Sequence, residues 1–314
     1  MIDQEEKTRM SGGELLSVCI PTYNRASYLA DLLEKFGDQV EAQPSLSDSI
    51  VVYIADNAST DDTPGVVERA KKRIPSLVYT RNGTNIGGPA NIIHVGTLAR
   101  GYYTWVLGDD EILHPDSLAA LVAVLGDRSA GLAILFDSDY DPIMQVPARF
   151  ADYRDFTKSC MMCNPHAMVQ HTLISSNIYR SDCFDADVAR QFADMYYPHM
   201  FGMIRPVYQK RLPVIVPDFP VIALRQFDRP YGEGNVHPPV DEAWQTYLGW
   251  LRDELQLPDL DPLAPTVTAR KLMLQNMIRH PLAFFWRNRH AVTSPSAYRH
   301  LFMRLFLVRR KLTG

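Results

Sequence analysis

The side chains with the densest chemistry in this chain fall in four short polar segments. They are Pro21-Thr22-Tyr23-Asn24-Arg25, Asp56-Asn57-Ala58-Ser59-Thr60-Asp61, Arg81-Asn82-Gly83-Thr84-Asn85-Ile86-Gly87-Gly88 and Gly108-Asp109-Asp110-Glu111. Together they hold an acidic cluster, two arginines, several amides and glycines. Carboxylates are hard oxygen ligands suited to Mg²⁺ or Mn²⁺, and such an ion neutralises phosphate charge. An acidic cluster without a cation would repel a diphosphate, so the set matches a nucleoside diphosphate held together with a divalent metal. Each segment also has a local explanation. Asn57 to Asp61 can form an Asx-type turn with a helix cap, and Asn85 to Gly88 a loop that needs φ > 0. The acidic run 109–111 can be a solvated helix N-terminus, although carboxylates directly after a buried strand are an expensive cap. Four such segments in fixed order exceed what turn chemistry alone produces.

Each segment follows an apolar run. Residues 15–20 read as a strand stopped by Pro21, and 26–36 as a helix with Tyr28, Leu29, Leu32, Leu33 and Phe36 at helical spacing. The pattern repeats with a strand at 50–55, a helix at 63–74 with Pro64 in its first turn, a strand at 77–80, a helix at 88–99 and a strand at 102–107. This alternation predicts an α/β fold with a mostly parallel central sheet flanked by helices, in which ligands bind outside the carboxyl ends of the strands.

Composition sets the outer limits. With 46% apolar and 22% charged residues among 314, disordered and collagen-like classes are excluded. No apolar run approaches the roughly 18 residues of a membrane-spanning helix. The opening MIDQEEKTRMSGGE has acids where a signal peptide has its apolar core, so a cytoplasmic chain is expected, with residues 1–14 a mobile lead-in. Four cysteines (Cys19, Cys160, Cys163, Cys183) do not make a disulfide scaffold, and Cys160-Met-Met-Cys163, with His166 nearby, lacks the second ligand pair of a zinc site. From residue 262 onward there are ten Lys or Arg and no acid, which against a whole-chain charge of −4 leaves −14 for the preceding 261 residues.

The succession LLSVCIPTYNRASYL, VVYIADNASTDDT, RNGTNIGGPANI and WVLGDDEILHPDSL resembles the nucleotide-binding half of family 2 glycosyltransferases of the GT-A fold, over about residues 15 to 120. The resemblance implies a Rossmann-like GT-A domain over 15–225, a nucleotide-diphospho-sugar donor, a divalent cation (Mn²⁺ or Mg²⁺), and transfer of the sugar to a hydroxyl of a saccharide or lipid-linked acceptor. It implies that Pro21, Thr22, Tyr23, Asn24 and Arg25 cradle the nucleotide with Asn57, Arg81, Asn85, Gly87 and Gly88, and that Asp56 hydrogen-bonds the base. The family's metal motif is Asp-x-Asp. Here Leu107-Gly108-Asp109-Asp110-Glu111 puts Gly108 where the first Asp belongs, leaving Asp110 as the direct metal ligand, Asp109 on ribose or metal, and Glu111 supporting from behind. A similar Gly-Asp-Asp form occurs in family members resembling O-antigen deoxysugar transferases. Two readings stay open: a metal-assisted transferase, and a non-catalytic nucleotide-sugar or glycan binder with a degenerate metal motif. A dinucleotide-dependent oxidoreductase would need a Gly-x-Gly-x-x-Gly after the first strand, where Ile20-Pro21-Thr22-Tyr23-Asn24 has no glycine.

Inverting transfer needs a base for the acceptor proton. The family often uses a Glu-Asp pair about 80 residues past the metal motif, and this chain has none there. Pro198 in a first helical turn would set His199 at a helix N-terminus, keeping it neutral, so His199 is the first candidate and Asp194 the second. Packing or capping is the alternative for His199. Thr172 to Arg180 resembles the family's small-residue strand near the donor sugar, with Ser176, Asn177 and Arg180 as contacts. The stretch 225–239 reads as a lid with Arg229 and His237 able to reach phosphate or metal, or as a plain surface loop. Residues 226–314 then form the lid and a basic helical C-terminal extension. In it Tyr298, Leu301, Phe302, Leu305 and Val308 make one stripe flanked by basic residues, suited either to an anionic membrane surface, peripheral to the cell membrane, or to docking on the catalytic domain. Nucleic acid is not an expected partner, because the aromatics sit on the apolar stripe.

Overall fold

Seven-residue apolar runs become the centre of a sheet. The computed structural model describes residues 13–135, 148–163, 171–195, 198–223 and 240–254. The lead-in up to residue 12, the lid with Arg229 and His237, His166 and the basic C-terminal stripe lie outside them, and of the Cys160-x-x-Cys163 pair only the backbone is described.

Strand β1 (Leu16–Thr22) pairs in parallel with β2 (Ile50–Asp56), and β2 in parallel with β3 (Leu77–Arg81). On its other side β1 pairs in parallel with β4 (Tyr103–Val106). The eight-stranded sheet has the order β3-β2-β1-β4-β8-β6-β9-β7, completed by β6 (Leu132–Ile134), β7 (Ala148–Phe150), β8 (Asn177–Arg180) and β9 (Val214–Val216). β8 runs antiparallel to both β4 and β6, and β7 antiparallel to β9, so the sheet is mixed though mostly parallel. A separate small ribbon joins β5 (Ile112–Leu113) to β10 (Ile222–Ala223).

Strand alternation sorts the core onto two faces. Leu16, Val18 and Ile20 of β1 with Tyr103 and Trp105 of β4 meet the stripe Leu29, Leu32, Leu33, Phe36 and Val40 of α1 (Ala26–Ala42). Cys19 and Val106 face the other way, toward Val95 of the next major helix. Between α1 and that helix come the short α2 (Leu46–Ser49) and α3 (Thr63–Ala70), and the helix itself is α4 (Gly88–Leu98). The same side receives Met200, Phe201 and Ile204 of the helix Pro198–Gln209 and Tyr247, Leu248 and Leu251 of the helix Val240–Glu254. With α5 (Ser117–Leu125), α6 (Tyr153–Cys163) and α7 (Ala186–Gln191) before them, these two are α8 and α9.

Several boundaries differ from the sequence expectation. Pro21 does not stop β1, which stays paired with β2 through Pro21 opposite Ala55 and Thr22 opposite Asp56. α1 runs six residues further, because Gly37 and Val40 continue its buried stripe. α3 stops at Ala70, where a tight turn lets Arg73 reach back to α1 and pair with Asp38 (2.8 Å) and Glu41 (2.6 Å). Cys19 and Cys183 are buried free thiols. Among the described residues no helix is long and apolar enough to cross a membrane.

Candidate active site

Because β1 and β4 are neighbours, with Cys19 opposite Val106, the segments that leave them emerge side by side. The chain passes from β1 to β2 on one flank and later returns to β4 on the other, which makes this the switch point where open α/β sheets bind ligands. The Thr22 hydroxyl donates to Asp109 Oδ2 at 2.7 Å. Arg25 Nη1 donates to both acids, to Asp109 Oδ1 at 3.1 Å and to Asp110 Oδ2 at 2.7 Å. Asp109, Asp110 and Glu111 are only 4%, 6% and 7% exposed. Burial pushes the Asp109 carboxyl up to about 6, against the pull of Arg25 and Thr22 and with a further push from Asp110.

Gly108 is held just before this pair. Its N–H donates to Ser175 Oγ at 3.0 Å, and a Cβ at this position would stand 2.9 Å from Asp110 Oδ1 and 3.3 Å from Ser175 Oγ. A side chain at 108 therefore has to displace the Asp110 carboxylate. Ser175 itself is pinned where Trp105 Nε1 donates to its carbonyl at 2.8 Å. Sequence reading named its neighbours Ser176 and Asn177 and passed over Ser175.

The second and third loops form an amide clasp. Asn57 Nδ2 donates to Asn85 Oδ1 (2.8 Å), while Asn57 Oδ1 accepts from Asn82 Nδ2 (3.1 Å) and from the Ile86 N–H (2.9 Å). Asn82 also donates to Asn91 Oδ1 (2.9 Å), and Asn91 Nδ2 donates to the Ala55 carbonyl (2.8 Å). Gly87 takes φ +88°, which a side chain adopts only with strain, whereas Gly88 shows no such need. Asn82 and Asn91 are the members that sequence reading missed. Replacing Asn57 with Ala strips three bonds from this loop and is expected to lower stability by about 2 kcal/mol. Chemical denaturation checks it, and an unchanged midpoint and slope would contradict the clasp.

Asp56 is fully buried. Its Oδ1 accepts from the Ser59 N–H (2.8 Å) and its Oδ2 from the Tyr79 hydroxyl (2.7 Å), with Arg81 Nε at 3.4 Å. Arg81 Nη2 donates to the Ser59 carbonyl at 2.7 Å. Asn24, at φ 52°, accepts the Thr60 N–H at 2.7 Å and ties the first loop to the second. Tyr23 is exposed beside it and Pro21 half-buried.

The candidates from the second half separate. Ser176 and Asn177 stand at the site end of β8, buried; Asn177 Nδ2 donates to the carbonyls of His171 (2.8 Å) and Leu173 (2.9 Å). Arg180 is corrected: β8 runs against β4, so Arg180 lies opposite Tyr103 at the far end, roughly 10 Å along the strand, in a two-point ion pair with Asp182. Asp194 is exposed in the turn after α7. His199 lies in the first turn of α8, as predicted, but buried, its Nε2 3.1 Å from the Thr172 carbonyl. A carbonyl only accepts, so Nε2 carries the proton and Nδ1 the lone pair. That Nδ1, like His171 Nδ1 and Asn177 Oδ1, is buried without a partner among the described residues. His171 Nε2 pairs with the Tyr153 hydroxyl at 2.8 Å, which meets the Tyr247 hydroxyl at 3.0 Å.

Burial pulls His199 down to about 4 and His171 down to about 3 from the ordinary 6.5. The unfolded chain thus binds more protons than the folded one below pH 6.5, so stability present above 6.5 is lost as pH falls through 6.5 toward 4. Asp109, raised to about 6, acts in the opposite sense below 6, one group against two. Net stability is expected to fall by several kcal/mol from pH 7 to pH 4. Denaturant titrations at stepped pH check this, and a flat profile would contradict the buried neutral pair.

Among the described residues no group of three or more His, Cys, Asp or Glu is arranged to hold a metal ion. The donor set at Asp109 and Asp110 fits an ion that binds one or two carboxylates and takes its other oxygens from a substrate phosphate and water.

Glycosyl transferase family 2 matches residues 17–159. Abequosyltransferase RfbV of Salmonella typhimurium is 38% identical over 117 residues, 37% of this chain and 34% of RfbV. Poly(ribitol-phosphate) beta-N-acetylglucosaminyltransferase TarS of Staphylococcus aureus is 25% identical over 120 residues, 38% of this chain and 20% of TarS. The matched segment thus spans about a third of RfbV and a fifth of TarS. The crystal structure of S. aureus TarS 1-349 in complex with UDP-GlcNAc shares the fold with a TM-score of 0.54 at 15% identity, over 84% of this chain and 72% of that one. All four strand-end loops lie inside residues 17–159, the segment that matches glycosyl transferase family 2, and the chain shares the GT-A fold of the TarS structure.

Proposed function

We propose that this chain is a glycosyltransferase that moves a sugar from a UDP-, CDP- or dTDP-linked donor to a hydroxyl of a saccharide or lipid-linked acceptor, with inversion and with help from Mn²⁺ or Mg²⁺. The observation that carries the reading is the buried Asp109/Asp110 pair at the β1/β4 switch point, bridged by Arg25. A charged pair this buried is costly to keep as mere structure. The similar proteins are an abequosyltransferase and an N-acetylglucosaminyltransferase, the latter crystallised with UDP-GlcNAc.

In this proposal Asp110 holds the cation and Asp109 the ribose or cation. The cation, when bound, stabilises charge on the departing diphosphate. Thr22 orients Asp109, Arg25 serves the phosphates, and the exposed Tyr23 with the amide clasp walls the nucleotide. Asp56 faces the base through its anchored loop, which requires the Tyr79 or Arg81 contact to open. Ser175 and Ser176 line the sugar end, and His199 Nδ1 takes the acceptor proton, which requires the packing over that buried nitrogen to open. Residues 15–120 form the donor half and 121–225 the acceptor half, in a role suited to surface-polysaccharide assembly. A second reading, nucleotide-sugar binding without turnover, draws on Gly108.

Thermal unfolding against UDP, CDP, GDP and dTDP, each with and without Mn²⁺, tests the proposal. A ligand at 100 times its Kd adds about 2.7 kcal/mol. Stabilisation by one diphosphate only with Mn²⁺, joined to metal-dependent donor hydrolysis, supports the transferase; stabilisation without metal dependence or turnover supports the binder. No response to any of the four removes the nucleotide reading.

A further inference from the structure

Arg25 is placed where a divalent cation would compete with it. One guanidinium nitrogen touches Asp109 Oδ1 at 3.1 Å and Asp110 Oδ2 at 2.7 Å, so it stands between the two carboxylates that the proposed function gives to the metal. A divalent cation held by those carboxylates would stand beside the guanidinium, where like charges in a buried setting repel strongly. The two cations therefore exclude each other from the pair.

The two sides of this contact differ in exposure and anchoring. Asp109 is fixed by the Thr22 hydroxyl, and both acid side chains are nearly closed to solvent, at 5% and 8% exposure, whereas the Arg25 side chain is 35% exposed. The Arg25 backbone is anchored by its carbonyl, which accepts the Leu29 N–H at 3.0 Å, and by the next residue, whose N–H donates to Asp61 at 2.9 Å. A swing of Arg25 thus moves the side chain alone, hinged on the first turn of α1. Leaving the carboxylates with no cation in exchange would remove the positive charge that bridges two nearly buried acids, which is costly. A diphosphate offers the planar guanidinium two oxygens at once, and an incoming cation offers the carboxylates their replacement.

Resting on the nucleotide reading, we infer that Arg25 is the resident counter-ion of the Asp109/Asp110 pair and hands the pair to the divalent cation only when a nucleoside diphosphate takes up its guanidinium. Cation and diphosphate binding are then linked, each tightening the other through the displacement of one side chain.

The test is a titration of the full chain with Mn²⁺, read from the electron paramagnetic resonance signal of the free ion, alone and with saturating UDP, CDP, GDP or dTDP. Arg25→Gln is expected to bind Mn²⁺ alone about tenfold more tightly than the parent chain, and to bind the diphosphate alone more weakly. The factor by which the diphosphate tightens Mn²⁺ is expected to fall from about tenfold or more to about threefold or less. Arg25→Lys, which keeps the charge but has a single donor nitrogen in place of the fork for the diphosphate, is expected to lie between. Should Arg25→Gln unfold without metal, its recovery by Mn²⁺ alone supports the inference, and failure to recover passes the decision to Arg25→Lys. Unchanged or weaker Mn²⁺ binding in the folded variant, while the parent chain binds diphosphate and Mn²⁺ together, overturns the role of Arg25 and spares the nucleotide reading. If the parent chain binds none of the four with Mn²⁺, the nucleotide reading fails and this inference falls with it.

Discussion

Replacing Asp110 with Asn is expected to lower metal-dependent donor turnover by about 10³-fold. Stabilising the charge that develops on a leaving diphosphate is worth several kcal/mol, and each 1.36 kcal/mol is tenfold in rate. Asn keeps the shape of the side chain and loses the charge that holds the cation. Folding stability is expected to change little by comparison, because Arg25 keeps its contact to Asp109. Donor hydrolysis with and without Mn²⁺, beside a melting curve, separates the two effects. Equal losses in rate and stability would make Asp110 a structural residue. Gly108→Asp is the informative contrast, since it writes the Asp-x-Asp pattern into the chain. The added Cβ would stand 2.9 Å from Asp110 Oδ1, so the Asp110 carboxylate has to shift from its place and no gain in turnover is expected. A gain would show that Gly108 is a lesion and that the pair has room for a further ligand.

The donor side was legible because its signals are local. A buried parallel strand is an apolar run, and the polar residues after it have to lie at the carboxyl edge of the sheet, so Thr22, Arg25, Asp56, Asp109 and Asp110 could be placed before any coordinates. Partners far apart in sequence were not legible. Ser175 reaches Gly108 across 67 residues, and Tyr79 reaches Asp56 across two strands; Ser and Tyr at such positions look like ordinary core or turn residues. The case of Arg180 shows the cost of extending the parallel rule. A residue at the end of a strand sits at the site only if the strand points that way, and β8 points the other way because β4 and β6 take it antiparallel between them. Strands of three residues, such as β6 and β9, carry too few positions for a period of two to register.

His199→Gln is expected to lower the rate of sugar transfer by about 10²-fold, the low end for removal of a general base. The low end follows from the geometry. With Nε2–H committed to the Thr172 carbonyl, the ring presents Nδ1 as its lone-pair atom, and its burial, which pulls the group down to about 4, makes it a weak acceptor that is nonetheless unprotonated at neutral pH. No acidic limb from His199 is therefore expected between pH 6 and 8, where an ordinary histidine of 6.5 would impose one. Gln can keep the donation to Thr172 and cannot take a proton, so a role in packing predicts little loss of rate, whereas a role as base predicts a fall in kcat with the KM for the donor unchanged. Asp194→Asn, on an exposed turn, is expected to change neither. A 10²-fold loss in Asp194→Asn with His199→Gln near the parent rate would move the proton acceptor from the start of α8 to the turn that precedes it.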